Sequence, residues 1–210
     1  MANLEELQEK IIKGKRKETG PLVQAALDEG MNPQEILDSM IGAMGIIGER
    51  FSRGECFVPE MLVAARAMTA ATDVLKPAMA AGGTEPVGYA GIGTVQGDMH
   101  DIGKNLVRMM IEGKGIEVDD LGVDVAPEAF VDYLNAHPQC KVVALSALLT
   151  TTMPALDATI KAISDAGLRD NVKIMIGGAP VTQEFADEIG ADAYTADAGA
   201  AAEKAAELMA

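Results

Sequence analysis

The sequence predicts an α + α/β protein, an N-terminal bundle of four helices followed by a five-stranded parallel sheet with flanking helices. Two observations carry this prediction. Up to about Pro77, apolar residues recur every three or four positions and no stretch alternates. After residue 86, short apolar runs alternate five times with helical segments, the signature of a doubly wound sheet. Composition agrees with a buried core. Of 210 residues 49% are hydrophobic but only 3% aromatic, with no Trp, so Ala, Val, Ile, Leu and 13 Met must fill the interior.

In chain order, the first helix is expected from about Leu4 to Lys17. The second begins near Pro21, a favourable first-turn proline, and stops at Gly30. The third opens with Asn32 as cap, Pro33 in the first turn and Glu35 three residues after the cap, then runs through Ile36, Met40, Met44 and Ile47 to about Phe51. The fourth follows Pro59 and carries Met61, Leu62, Ala65, Met68 and Leu75. Residues 77–86, PAMAAGGTEP, read as a linker, which gives a helical domain over 1–78, a linker over 79–87 and an α/β domain over 88–210. Strands are expected at 88–95, 116–121, 141–146, 172–176 and 192–195, with helices from about 102, 127, 153, 182 and 198. In the flavodoxin-like or Rossmann-like order 2-1-3-4-5, ligands bind beyond the C-terminal ends of the strands. Three loops would meet there: GDMHDIGKN after the first strand, ALSALLTTT at the end of the third and MIGGAP at the end of the fourth.

Charge and cysteine content exclude several classes. A net charge of −15 argues against nucleic acid, which needs a clustered basic surface. The opening MANLEELQEKIIKGKRKE has no apolar run after its charges, so neither a signal peptide nor a membrane span is expected. Cys56 and Cys140 are the only cysteines, too few for a disulfide framework or a CxxC metal spacing, and a cytoplasmic setting is expected.

The chemistry concentrates in GDMHDIGKN. A Walker loop needs four residues between its glycines and Ser or Thr after Lys; here five separate Gly97 from Gly103, and Asn105 follows Lys104. Gly91-x-Gly93 lacks a third glycine at the dinucleotide spacing. Zinc needs three or four ligands, and His137, the other histidine, lies beyond the second α/β helix. Two readings stay open. In one, Asp98 caps the next helix and His100 is a surface residue. In the other, His100 is a single axial ligand to a large planar metal cofactor that brings its other ligands, with Asp98 fixing the imidazole tautomer.

Asp98-x-His100-x-x-Gly103, then Ser146-x-Leu148 after forty-two residues and Gly177-Gly178 after a further twenty-eight, resembles the cobalamin-binding signature of methionine synthase, methyl-transferring corrinoid proteins and some mutases. In the helical half, Phe51-x-x-Gly54-Glu55-x-Phe57-x-Pro59-Glu60-Met61 followed by Ala65-Arg66-Ala67-Met68 resembles the cap domain of corrinoid proteins. The resemblance implies cobalamin or a related corrinoid bound base-off, with His100 as the lower cobalt ligand and Asp98 as its hydrogen-bond partner. It places the relay hydroxyl at Thr152, with Thr150 and Thr151 as neighbouring claimants. It also assigns Met99, Asp101 and Ile102 to the cofactor loop, Ser146 and Leu148 to the pocket of the displaced base, and Gly103, Gly177 and Gly178 to clearance for the nucleotide tail. Phe57, Val58, Met61 and Leu62, with Met44 and Met68 behind them, become candidates for contact with the upper cobalt face.

The resemblance also separates relatives. Mutases join this loop to a substrate-binding barrel and photosensing repressors add a DNA-binding module, and neither is evident here. The implied function is a methyl carrier with no catalytic residue of its own, working in methanogenesis or acetogenesis and holding methylcobalamin when loaded. Its implied partners are a substrate-specific methyltransferase for a methylamine, glycine betaine, methanol or similar donor, an acceptor methyltransferase using coenzyme M or tetrahydrofolate, and a reductive activation protein. The alternative is a cobalamin sensor or storage module without methyl transfer.

Overall fold

The structure, a computed structural model, describes residues 3–82 and 86–209. Contacts divide the chain into a helical unit, Met1–Pro86 with Gly113–Gly115, and an α/β unit, Val87–Glu112 with Ile116–Ala210.

The helical unit holds α1 (Leu4–Ile12), α2 (Arg16–Asp28), α3 (Pro33–Ser52) and α4 (Val58–Gly82). The first break falls earlier than periodicity suggests because the chain turns at Gly14, whose φ is +66°. The Gly14 N–H donates to Ile11 O and the Lys15 N–H to Lys10 O, which closes α1 and lets α2 begin at once. Pro21 consequently sits inside α2 rather than in its first turn. Buried Thr19, two residues before it, brings its hydroxyl within 3.0 Å of Ala67 O on α4. Asn32 caps α3 as expected, accepting from the Gln34 N–H. At the other end of the unit, α4 runs past Pro77 to Gly82, so residues 79–82 of the segment with linker composition are helical, and 83–85 lie outside the described residues. An internal proline removes one helical hydrogen bond, a loss that packing of a 25-residue helix offsets.

The α/β unit runs β1 (Gly88–Val95), α5 (Ile102–Glu112), β2 (Ile116–Val125), α6 (Pro127–Ala136), β3 (Cys140–Ser146), α7 (Met153–Asp165), a 3-10 turn (Arg169–Asn171), β4 (Lys173–Gly177), α8 (Gln183–Ile189), β5 (Ala193–Tyr194) and α9 (Ala198–Met209). All pairings are parallel in the expected order β2-β1-β3-β4-β5. Helix α5 packs with α9, and α6, α7 and α8 pack in sequence. Residues alternate along the central strands: Val143 and Leu145 of β3 join Ile174 and Ile176 of β4 in one cluster with Phe130, Leu156 and Ile160. Among the described residues no helix is long and apolar enough to cross a membrane.

Strand β2 is longer than its apolar run. Five steps along β2, Asp120 to Val125, pair with three along β1, Ile92 to Val95, so β2 bulges twice. Gly122 (φ +94°) and Asp124 (φ +53°) take up the extra length, and the ladder resumes at Val125. Glycine here interrupts the pattern without ending the strand.

The Gly91-x-Gly93 pair in β1 has a packing cause. A Cβ at Gly91 would stand 2.5 Å from Tyr133 Cε1, and one at Gly93 2.7 Å from Phe130 Cζ. The two α6 rings fill the volume that side chains would take. Phe130 is fully buried and cannot swing aside. Gly93→Ala should therefore cost about 1–3 kcal/mol of stability by overpacking. Urea denaturation of the cofactor-free protein measures it, and an unchanged midpoint would show that the α6 ring yields freely.

Candidate functional site

The Asp98 side chain is 0% exposed, and each of its carboxylate oxygens accepts two hydrogen bonds. Oδ1 takes the His100 N–H at 3.0 Å and lies 2.7 Å from His100 Nδ1. Oδ2 takes the Leu148 N–H at 2.7 Å and the Thr152 hydroxyl at 2.8 Å. The loop after β1 is thus tied to the loop after β3, fifty residues away. Burial alone pushes the Asp98 carboxyl up, but the Leu148 and His100 N–H groups, the imidazole and the Thr152 hydroxyl together hold it well below the usual carboxylate range. With Nδ1 donating to a carboxylate, the neutral ring keeps its lone pair on Nε2. The His100 side chain is 50% exposed.

The helix-cap reading of Asp98 does not describe this arrangement: α5 starts at Ile102, and Asp101 O accepts the Asn105 N–H. Asp101 is exposed and its carboxylate accepts from the Asn105 side chain. Met99 on the loop after β1, Ile102 at the start of α5, and Leu148 and Leu149 after β3 are exposed apolar residues, with Met99 at 69% and Ile102 at 81%. Exposed apolar groups on the segments that carry and back the imidazole suit an apolar ligand.

Of the three adjacent threonines, Thr152 carries the bond to Asp98; its oxygen also accepts from the Leu149 N–H at 3.3 Å, whereas Thr150 and Thr151 are exposed. Ser146 ends β3 in register with Thr94 on one side and Gly177 on the other. The glycines differ in what they clear. A Cβ at Gly103 would meet nothing within 4 Å, so space stands open beside α5, and one at Gly177 would come 3.6 Å from Thr195 O. Gly178 has φ +135°, and a Cβ there would fall 1.8 Å from Ala147 O. Close approach of the β3 and β4 loops, by itself, requires glycine at 178.

In the helical unit, Phe57 is 71% exposed at the start of α4, its N–H bonded to the Glu60 carboxylate at 2.8 Å. Val58 is exposed and Leu62 half-buried, whereas Met61, Met44 and Met68 are buried. His137 stacks on Tyr133 with centroids 4.4 Å apart, and both cysteines are buried free thiols. Among the described residues no three His, Cys, Asp or Glu side chains stand together as ligands for an ion.

Two contributors escaped the sequence reading. The buried Thr94 donates its hydroxyl to the His100 carbonyl at 2.8 Å. Asp124 accepts the Gly97 N–H at 2.6 Å and gives its own N–H to Asp98 O at 2.9 Å. A polar residue at the end of an apolar strand was the available signal for Thr94; for Asp124 it was a charge between two valines just after a glycine.

Asp98→Asn replaces one acceptor oxygen with a donor facing donors, and should lower stability at pH 7 by about 2–4 kcal/mol. Because the folded carboxyl is depressed, its contribution is fully present above the ordinary value of about 4 and declines as the pH falls below it. The gap between wild type and variant should narrow at about pH 3. Urea titrations at both pH values measure it; an equal loss at each would show that the donors do not serve the carboxylate's charge.

Comparisons with known proteins agree with the geometry. Residues 88–207 and residues 3–76 each match a B12 binding domain family. The chain is 42% identical over 209 residues, 99% of its length and 97% of the relative's, to dimethylamine corrinoid protein 1 of Methanosarcina acetivorans. It superposes with a TM-score of 0.84 and 30% identity on a cobalamin-binding protein from Desulfitobacterium hafniense, covering 99% of both chains. The TM-score is also 0.84, with 26% identity and 97% and 78% coverage, for a chain of the methanol:cobalamin methyltransferase complex from Methanosarcina barkeri. Two B12 binding domains in order along one chain, a near full-length relative and one imidazole backed by a buried carboxylate lead to one conclusion: the protein belongs to the family of cobalamin-binding corrinoid proteins.

Proposed function

We propose that this chain is the methyl carrier of a multi-component methyltransferase system, holding its corrinoid base-off with His100 Nε2 on the lower cobalt face. The observation that carries the proposal is the Thr152–Asp98–His100 relay, which engages Nδ1 and leaves Nε2 as the other nitrogen of a half-exposed side chain. When bound, the corrinoid supplies a cobalt that accepts a methyl group from a donor and yields it to an acceptor.

The chain's own residues hold, orient and shield. Asp98 fixes the imidazole tautomer and ring plane, and Thr152 and Leu148 N–H fix Asp98. Met99, Ile102 and Leu148 form the apolar bed. The open space beside Gly103 and the Ser146–Gly177 row suit the displaced nucleotide tail. The helical domain, 1–78, serves as the cap, with Phe57 and Val58 offering exposed apolar surface and Leu62 behind them, while Met61 is left to packing.

The relatives' names favour a methylamine as donor, with a substrate-specific methyltransferase delivering it and a second one passing the methyl group to coenzyme M or tetrahydrofolate. Protein reconstituted with cobalamin and reduced should gain a methyl group when given dimethylamine and a dimethylamine-specific methyltransferase. Cofactor binding with no methyl uptake from methylamines, methanol or glycine betaine, each offered with its cognate methyltransferase, would instead indicate a sensor or store. His100→Ala should lose the nitrogen splitting in the EPR spectrum of the Co(II) form and bind cobalamin at least about tenfold more weakly, the scale on which the loss of a supporting ligand interaction acts. An unchanged spectrum removes the axial role.

A further inference from the structure

Asp124 touches the loop carrying His100 at two points. Its carboxylate accepts the Gly97 N–H and its own N–H donates to the Asp98 carbonyl, so it grips the Gly97–Asp98 segment from both sides. Its backbone is unusual. Among the described residues Asp124 is the sole non-glycine at positive φ, at +53°. The two bulges of β2 bring it there, beyond the point where β2 pairs regularly with β1. A strained backbone persists where its surroundings require it, and bulges next to functional loops commonly re-aim a side chain. The grip also complements Asp98. The Asp98 side chain is fixed from β3 and α7, Thr94 holds the His100 carbonyl from β1, and Asp124 fixes the intervening backbone from β2.

We infer that Asp124 is a positioning residue, a latch that fixes the Gly97–Asp98 backbone and thereby the height and tilt at which the His100 ring meets its ligand. The inference rests on the reading of His100 as the lower cobalt ligand. Asp124 is exposed, so the latch sits at the solvent boundary, where it opens without disturbing the core. Its hydrogen bonds decide how readily His100 is held on the metal or released from it.

Two substitutions separate the carboxyl's role from that of the backbone. Asp124→Gly tolerates the left-handed conformation but removes the acceptor; Asp124→Asn tolerates it and keeps an acceptor oxygen. In the cofactor-free protein the Gly97 amide should exchange with deuterium at least about tenfold faster in D124G, and close to the wild-type rate in D124N. Loaded with Co(II) corrinoid, D124G should show an about tenfold lower ratio of nitrogen-ligated to unligated cobalt by EPR, consistent with losing a hydrogen bond to a charged group, and D124N a ratio near wild type.

Absence of nitrogen splitting in the wild type overturns the His100 reading on which the inference stands. Nitrogen splitting in the wild type and undiminished in D124G overturns the latch alone. Equal impairment of D124N and D124G overturns the acceptor role. Should D124G fail to fold, the wild-type protein decides: a Gly97 amide exchanging as fast as an unbonded loop amide overturns the latch, and protection there supports it.

Discussion

The rest of the site depends on one buried carboxylate. An ionised Asp removed from water is tolerated only when its oxygens are fully answered by donors. At Asp98 those donors come from its own loop, from the loop after β3 and from the start of α7. Satisfying the charge therefore fixes three chain segments relative to one another, and the histidine ring is oriented as a by-product. An apolar residue at position 98 would leave the Leu148 N–H without this acceptor, and the Thr152 hydroxyl with only the Leu149 carbonyl at 2.9 Å.

Beside this polar anchor lie exposed apolar residues. Asp98 is buried while Met99 and Ile102, the latter opening α5, are exposed, so within five residues the chain turns its charge inward and its hydrocarbon outward. That inversion runs against ordinary surface patterning and is stable because few residues carry it. Where the β3 and β4 loops meet, the contact of Gly178 with Ala147 O leaves no room for a side chain. One rim of the site is thereby rigid, while the space beside Gly103 stays open.

Much of this was legible in the sequence, and the misses share a physical origin. Five βα units follow from periodicity, which averages over many residues, and their strand order from the fold class those units define. The departures fall at single residues whose backbone interrupts a pattern without ending an element: Gly14, which splits what reads as one helix; Gly122 and Asp124, which bulge a strand that reads as finished; and Pro21 and Pro77, which packing retains inside helices. At the site, Asp98 and His100 were visible because their contact spans two residues. Thr152 was ambiguous among three threonines, because choosing between hydroxyls fifty-four positions from Asp98 requires coordinates. Thr94 and Asp124 act on backbone atoms, which leave little trace in side-chain patterns.

Thr152 is also the N-cap position of α7, so the Asp98 carboxylate sits one hydrogen bond from the positive end of a 13-residue helix. In many α/β folds that place, just past a strand and at the mouth of a helix, is a seat for the phosphate of a nucleotide. Here the seat is taken by an anion belonging to the chain itself. The helix field that elsewhere captures a charged ligand is spent internally on keeping one side chain ionised. With its anion built in, the protein presents a half-exposed imidazole beside exposed apolar residues at this edge of the sheet. A shared architecture is thus turned from recognising phosphate to tuning a base.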